Sequence, residues 1–61
     1  MRTLRVWNGY KVFKEENGKR LYLRSYYRGV AKYVTDYAYG KIYSNLASAE
    51  RVIYELEVSY V

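Results

Sequence analysis

Three glycine-ended dipeptides, Asn8-Gly9, Asn17-Gly18 and Arg28-Gly29, cut the first part of this chain into segments whose apolar residues recur at every second position. An Asn-Gly pair supplies the positive φ angles of a tight hairpin turn, and period-two alternation marks a strand with one covered face. Few folds accept both at once. Arg2-Thr3-Leu4-Arg5-Val6-Trp7 reads as a first strand, Tyr10 to Glu16 as a second and Lys19 to Tyr27 as a third. Glu15 and Glu16 then face Arg20 and Lys19 across the second turn, opposite charges that favour this register. From Val30 the alternation continues through Tyr33-Val34, breaks near Asp36 and resumes from Tyr37 to Tyr43.

At Ser44-Asn45 the period changes. Leu46, Ala49, Ile53 and Leu56 recur at spacings of three and four, with Val52 beside them, which is the stripe of an amphipathic helix over about residues 45–57. Ser44 or Asn45 is the N-cap, its side-chain oxygen accepting an otherwise orphan N–H of the first turn. The polar face holds Ser48, Arg51 and Glu55, so the helix packs on a sheet and is not a basic recognition helix. The tail Val58-Ser59-Tyr60-Val61 carries no signal that ends or extends it. The predicted fold is α+β: a small antiparallel sheet of three to five strands, over about residues 2–43, packed on one face by a single C-terminal helix.

At 61 residues the chain is predicted to be one domain, 1–61, and its start at Met suggests a stand-alone protein. It has no Cys and no His, which removes disulfides, thiolate and imidazole metal sites, and catalysis by Cys–His or Ser–His pairs. No cofactor is expected. The apolar runs are a few residues long, against the ~20 a bilayer span needs, and the N-terminus has no apolar signal region. A cytoplasmic protein with no membrane partner is the expectation. Asp36 beside Tyr37, or Glu55 with Glu57, makes a poor acid–base pair without a pocket to hold substrate, so the chain reads as a binding protein and not an enzyme.

Charge is divided along the chain. Residues 1–43 hold ten bases and three acids, a balance of +7, whereas residues 44–61 hold Arg51 against Glu50, Glu55 and Glu57, a balance of −2. Eight of the ten tyrosines lie in the basic part. An anionic partner should meet that part. Register refines the inference. A two-residue loop at Asn8-Gly9 would pair Leu4 with Phe13 and split the apolar set between two faces. A three-residue loop, Asn8-Gly9-Tyr10, pairs Trp7 with Lys11 and Val6 with Val12, and gathers Leu4, Val6, Val12, Leu21 and Leu23 under the helix. The opposite face then carries Arg5, Trp7, Lys11, Phe13, Arg20, Tyr22, Arg24 and Tyr26.

Cations interleaved with flat rings suit nucleic acid, the cations meeting phosphates and the rings stacking on bases. The same chemistry builds protein hot spots, since Tyr, Trp and Arg bury large areas at low entropic cost. It also suits a bland role, with tyrosines as core and arginines as solvated surface. Asn17-Gly18-Lys19-Arg20 offers turn amides to an anion but reads mainly as a turn. Twelve aromatic residues exceed what one helix can cover, and the segment Tyr37 to Tyr43 has Lys41 as its only charge. A homodimer through that strand edge, or through the aromatic face, is therefore expected.

Gly18-Lys19-Arg20-Leu21-Tyr22-Leu23-Arg24 in a strand, followed by Tyr43-Ser44-Asn45-Leu46-Ala47-Ser48-Ala49-Glu50 at a helix start, resembles the arm-type (AP2-like) DNA-binding domains of phage and transposon integrases. In that family an aromatic, a capping hydroxyl and an Ala-Glu pair recur at these offsets, matched here by Tyr43, Asn45 and Ala49-Glu50. Asn45 stands where the family usually has Thr, the first helical turn lacks the family's basic residues, and Val30 to Ile42 is longer. The strand-then-helix ending is also similar to small phage accessory proteins, some of which inhibit host or defence proteins by docking on them. Over residues 10–57 the resemblance implies a phage or mobile-element protein in the host cytoplasm. Its partner would be nucleic acid, DNA before RNA, through a sheet laid in the major groove; the alternative is a host protein, with this chain as inhibitor or adaptor.

Overall fold

The computed structural model describes residues 1–58. Four strands, β1 (Arg2–Val6), β2 (Gly9–Glu16), β3 (Lys19–Tyr27) and β4 (Val30–Val34), form one antiparallel meander in the order β1-β2-β3-β4. A 3-10 turn (Tyr37–Tyr39) follows, then the helix α1 (Leu46–Val58). The helix packs on β1 and β2, so the α+β architecture expected from the alternation and the helical stripe is the one observed. Residues 59–61 of the tail lie outside the described residues. No helix among the described residues is long and apolar enough to cross a membrane.

The second and third turns follow the sequence rules. Glu16 pairs with Lys19 and Glu15 with Arg20, leaving Asn17 (φ 52°) and Gly18 (φ 77°) as a two-residue turn with both angles positive. Arg28 (φ 51°) and Gly29 (φ 79°) repeat this geometry. The first turn does not. Val6 pairs with Gly9, so the loop is Trp7-Asn8 and Gly9 belongs to the strand. A Cβ on Gly9 would lie 2.3 Å from the Tyr43 carbonyl oxygen and 2.8 Å from the Ile42 Cγ2. Gly9 is there to let another segment approach, which slides the β1–β2 register to Leu4 opposite Lys11 and Arg2 opposite Phe13.

The expected gathering of Leu4 and Val6 beneath the helix is thereby corrected. Val12 and Leu23 point to the helix and form the core with Ala49 and Leu56. Leu4 and Val6, in register with Lys11 and Gly9, lie on the far side of the sheet with Phe13 and Tyr22. Both sides are partly covered, because Lys11, Phe13 and Tyr22 are buried as well. A bulge at Arg24 moves the register of β3 against β4 by one residue between Leu23 and Ser25. It carries Tyr26 across to the helix side, where Tyr26, Ala31 and Tyr33 pack against the core.

The stretch expected as a strand edge, Tyr37 to Tyr43, is neither a strand nor an edge. Asp36 caps the 3-10 turn, its Oδ1 accepting from the Ala38 N–H at 2.9 Å. β2 and β3 pair only over Phe13–Glu16 with Lys19–Tyr22, and above that they fork. The fork is filled: the Lys41 N–H donates to the Leu23 carbonyl (2.9 Å), and Tyr43 and Tyr10 exchange backbone hydrogen bonds (2.7 and 2.8 Å). The chain thus passes from the far side of the sheet to the helix side between β2 and β3. A dimer through this segment loses its premise, since its backbone groups are already paired within the chain and the sheet edges are β1 and β4.

Of the two cap candidates, Asn45 holds the helix start, its Oδ1 accepting from the Ser48 N–H at 2.8 Å. Asn45→Ala should cost about 1 kcal/mol, whereas Ser44→Ala should be near neutral. Chemical denaturation of the two variants checks this assignment; equal losses would contradict it.

Candidate functional site

The eight residues expected to share one face separate into three groups. Lys11, Phe13, Arg20, Tyr22 and Arg24 lie on the far side of the sheet. Arg5, in register with Tyr10 next to Val12, lies on the helix side, and the bulge sends Tyr26 there too. Trp7 belongs to neither face: it sits in the first turn, 95% exposed. The register set by Gly9 and the bulge at Arg24 cause both departures, and neither is written into the period-two pattern.

On the far side, the 3-10 turn closes over the middle of the sheet. Tyr37 meets Tyr22 edge-on, with ring centroids 5.5 Å apart. The buried Lys11 ammonium donates to the Tyr37 carbonyl and sits 4.0 Å from the centre of the Tyr37 ring. Gly40 permits this closure, because a Cβ there would stand 3.0 Å from the Tyr22 Cβ and 3.3 Å from the Lys11 Cδ. Lys11, Phe13 and Tyr22 therefore act as packing, and their rings and charge are not offered to a ligand. Sequence reasoning missed Tyr37 and Tyr39 as members of this face; Asp36, placed to cap a short turn, was the signal for them.

The outer layer consists of cations resting on rings. The Arg20 guanidinium lies 4.2 Å from the Phe13 ring centre, and the Arg24 guanidinium lies 5.6 Å from that of Tyr39 while donating to the Tyr39 carbonyl at 2.9 Å. Elsewhere Lys14 lies over Tyr33, Arg28 over Tyr27 and Lys41 over Tyr43. Six of the chain's eleven bases rest over rings in this way, so much of the base–aromatic interleaving is resolved inside the chain. A guanidinium seated on a ring keeps its N–H edge free for an oxyanion, and its seat limits the entropy lost on binding. Arg20 and Arg24 are exposed, as are Arg2 and Lys32, which the register places on the same side. Burial pushes the Tyr43 phenol above its ordinary pKa.

The helix side carries charges of both signs. Glu50 and Glu57 line an open cleft of about 580 Å³ between α1 and the start of β1, where the N-terminal ammonium pairs with Glu57 at 3.3 Å. The exposed pair Arg51–Glu55 (3.3 Å) lies on the same helix. Among the described residues no group of three or more Asp or Glu side chains is placed to hold a metal ion. Compared with models of known protein families, with curated proteins and with solved structures, the chain matches none.

Proposed function

We propose that this chain is a non-enzymatic nucleic-acid-binding protein that meets the phosphate backbone with the far side of its sheet. The observation that carries the reading is the seating of Arg20 on Phe13 and of Arg24 on Tyr39, with Lys32 and Arg2 on the same side and the helix glutamates on the other. This differs from a stacking platform: the rings hold the arginines and the arginines hold the phosphates. Affinity then comes mainly from released counterions, so it is steeply salt-dependent and carries little sequence preference.

Fluorescence anisotropy with labelled 12-mer DNA at two salt concentrations tests the reading. Each neutralised phosphate contributes ~0.9 to the log–log slope on duplex and ~0.7 on single strands, so the double substitution Arg20→Gln with Arg24→Gln should lower the slope by about 1.8 or 1.4. No binding at about 50 mM salt would refute the reading. A second reading, a protein-binding inhibitor or adaptor, is favoured by Tyr37 and Tyr39, which stay 47% and 59% exposed beside Arg24. It requires capture of a protein that survives nuclease treatment and is weakened by Tyr39→Ala. Tyr22→Ala cannot serve as that probe, because Tyr22 is buried and its loss would unsettle the fold.

A further inference from the structure

The meander places the first and third turns at the same end of the sheet. Trp7-Asn8 joins β1 to β2 there, Arg28-Gly29 joins β3 to β4, and the fork-filling segment brings Ile42 and Tyr43 against Gly9 between them. With strands about 4.8 Å apart and one extra segment in the fork, the two turns stand roughly 14 Å from each other. This end holds the most exposed large hydrophobic residues among those described: Trp7 at 95%, and Tyr27 at 70%. Arg5, two residues before Trp7, and Arg28, in the third turn, lie at the same end, both exposed. The carboxylates are elsewhere: Glu15 and Glu16 flank the second turn, Asp36 caps the 3-10 turn, Glu50 and Glu57 line the cleft beside Met1, and Glu55 pairs with Arg51.

An indole left in water on both faces makes no contribution to the core, so its place in a two-residue turn needs another reason. We infer that this turn end binds single-stranded nucleic acid, with Trp7 stacking on an unpaired base and Arg5 and Arg28 following the backbone. The inference rests on the nucleic-acid reading above and names the form of the ligand. Charge complementarity favours a polyanion. The free indole faces favour a single strand, because in a duplex each base face is already stacked on its neighbour. At 3.4 Å per stacked base, the roughly 14 Å between the turns spans about four nucleotides.

Trp7 is the only tryptophan in the chain, so its emission reports contact directly. The test titrates the full chain with single-stranded dT12, with a 12-bp duplex and with anionic lipid vesicles, reading Trp7 emission and, for the two DNAs, anisotropy. The expected result is quenching by dT12 and little change with duplex. Trp7→Ala should weaken dT12 binding roughly 5- to 150-fold, the span of one stacked base, and leave duplex binding within about two-fold. Because Trp7 is exposed, circular dichroism should show the variant as folded as the parent. Several results would overturn the inference: equal quenching and equal loss with duplex, which means insertion between base pairs; salt-dependent binding of both DNAs with neither quenching nor loss in Trp7→Ala, which removes the stacking role and leaves the phosphate-binding reading standing; a blue shift with vesicles alone, which assigns the end to a membrane surface. Absence of binding to either DNA would remove both readings together.

Discussion

Gly9→Ala should lower the melting temperature by about 10–45 °C, the largest effect of any glycine substitution in this chain. The added Cβ would lie 2.3 Å from the Tyr43 carbonyl oxygen, and Gly9 has φ 151°, a backbone angle that residues with a Cβ rarely adopt. Overpacking against backbone costs about 1–3 kcal/mol and the strained angle about 1–3 more. Domains of this size gain roughly 3–9 kcal/mol in total, and each kcal/mol moves the melting point about 4–8 °C. Gly18→Ala provides the contrast. Nothing lies within 4 Å of the Cβ it would create, so the cost is the φ of 77° alone, about 1–2 kcal/mol. Thermal circular dichroism of the two variants separates a turn glycine from a close-approach glycine. Similar melting points would mean that the Ile42–Tyr43 segment does not sit against Gly9.

Leu23→Ala should destabilise by about 2–5 kcal/mol, because Leu23 is fully buried and its loss leaves a cavity between β3 and the core residues Val12, Ala49 and Leu56. Leu4→Ala should cost less than half as much, since Leu4 is only half-buried on the side away from the helix. Denaturant midpoints of the two variants test the register of β1. A three-residue first loop would put Leu4 under the helix and make the losses comparable, whereas the observed pairing of Leu4 with Lys11 keeps them well apart.

The two Asn-Gly pairs show where local reading succeeds and where it stops. At Asn17-Gly18 both residues take positive φ and the charges opposite each other agree with the turn, so local chemistry and register point the same way. At Asn8-Gly9 the same letters carry a different requirement. There the glycine answers to a segment more than thirty residues later, and no window of the sequence contains both. The site was legible to the same degree. Cations and rings do meet on the far side of the sheet, but whether a ring offers its face to a ligand or to its own arginine depends on Tyr37 and Tyr39 returning over the sheet. Their short turn looked like a continuing strand because alternating tyrosines satisfy either reading.

Features that depend on near neighbours are legible in the chain alone: the alternation of β1 to β3, the positive-φ turns at Asn17-Gly18 and Arg28-Gly29, the helix stripe from Leu46 to Leu56 with its cap, and the division of charge between the first 43 residues and the rest. How those pieces are phased against one another is set by contacts between distant segments. The Gly9 contact sets β1 three residues from the register expected against β2, and the bulge at Arg24 moves β3 by one against β4. In a structure of period two, one residue is the difference between one face and the other.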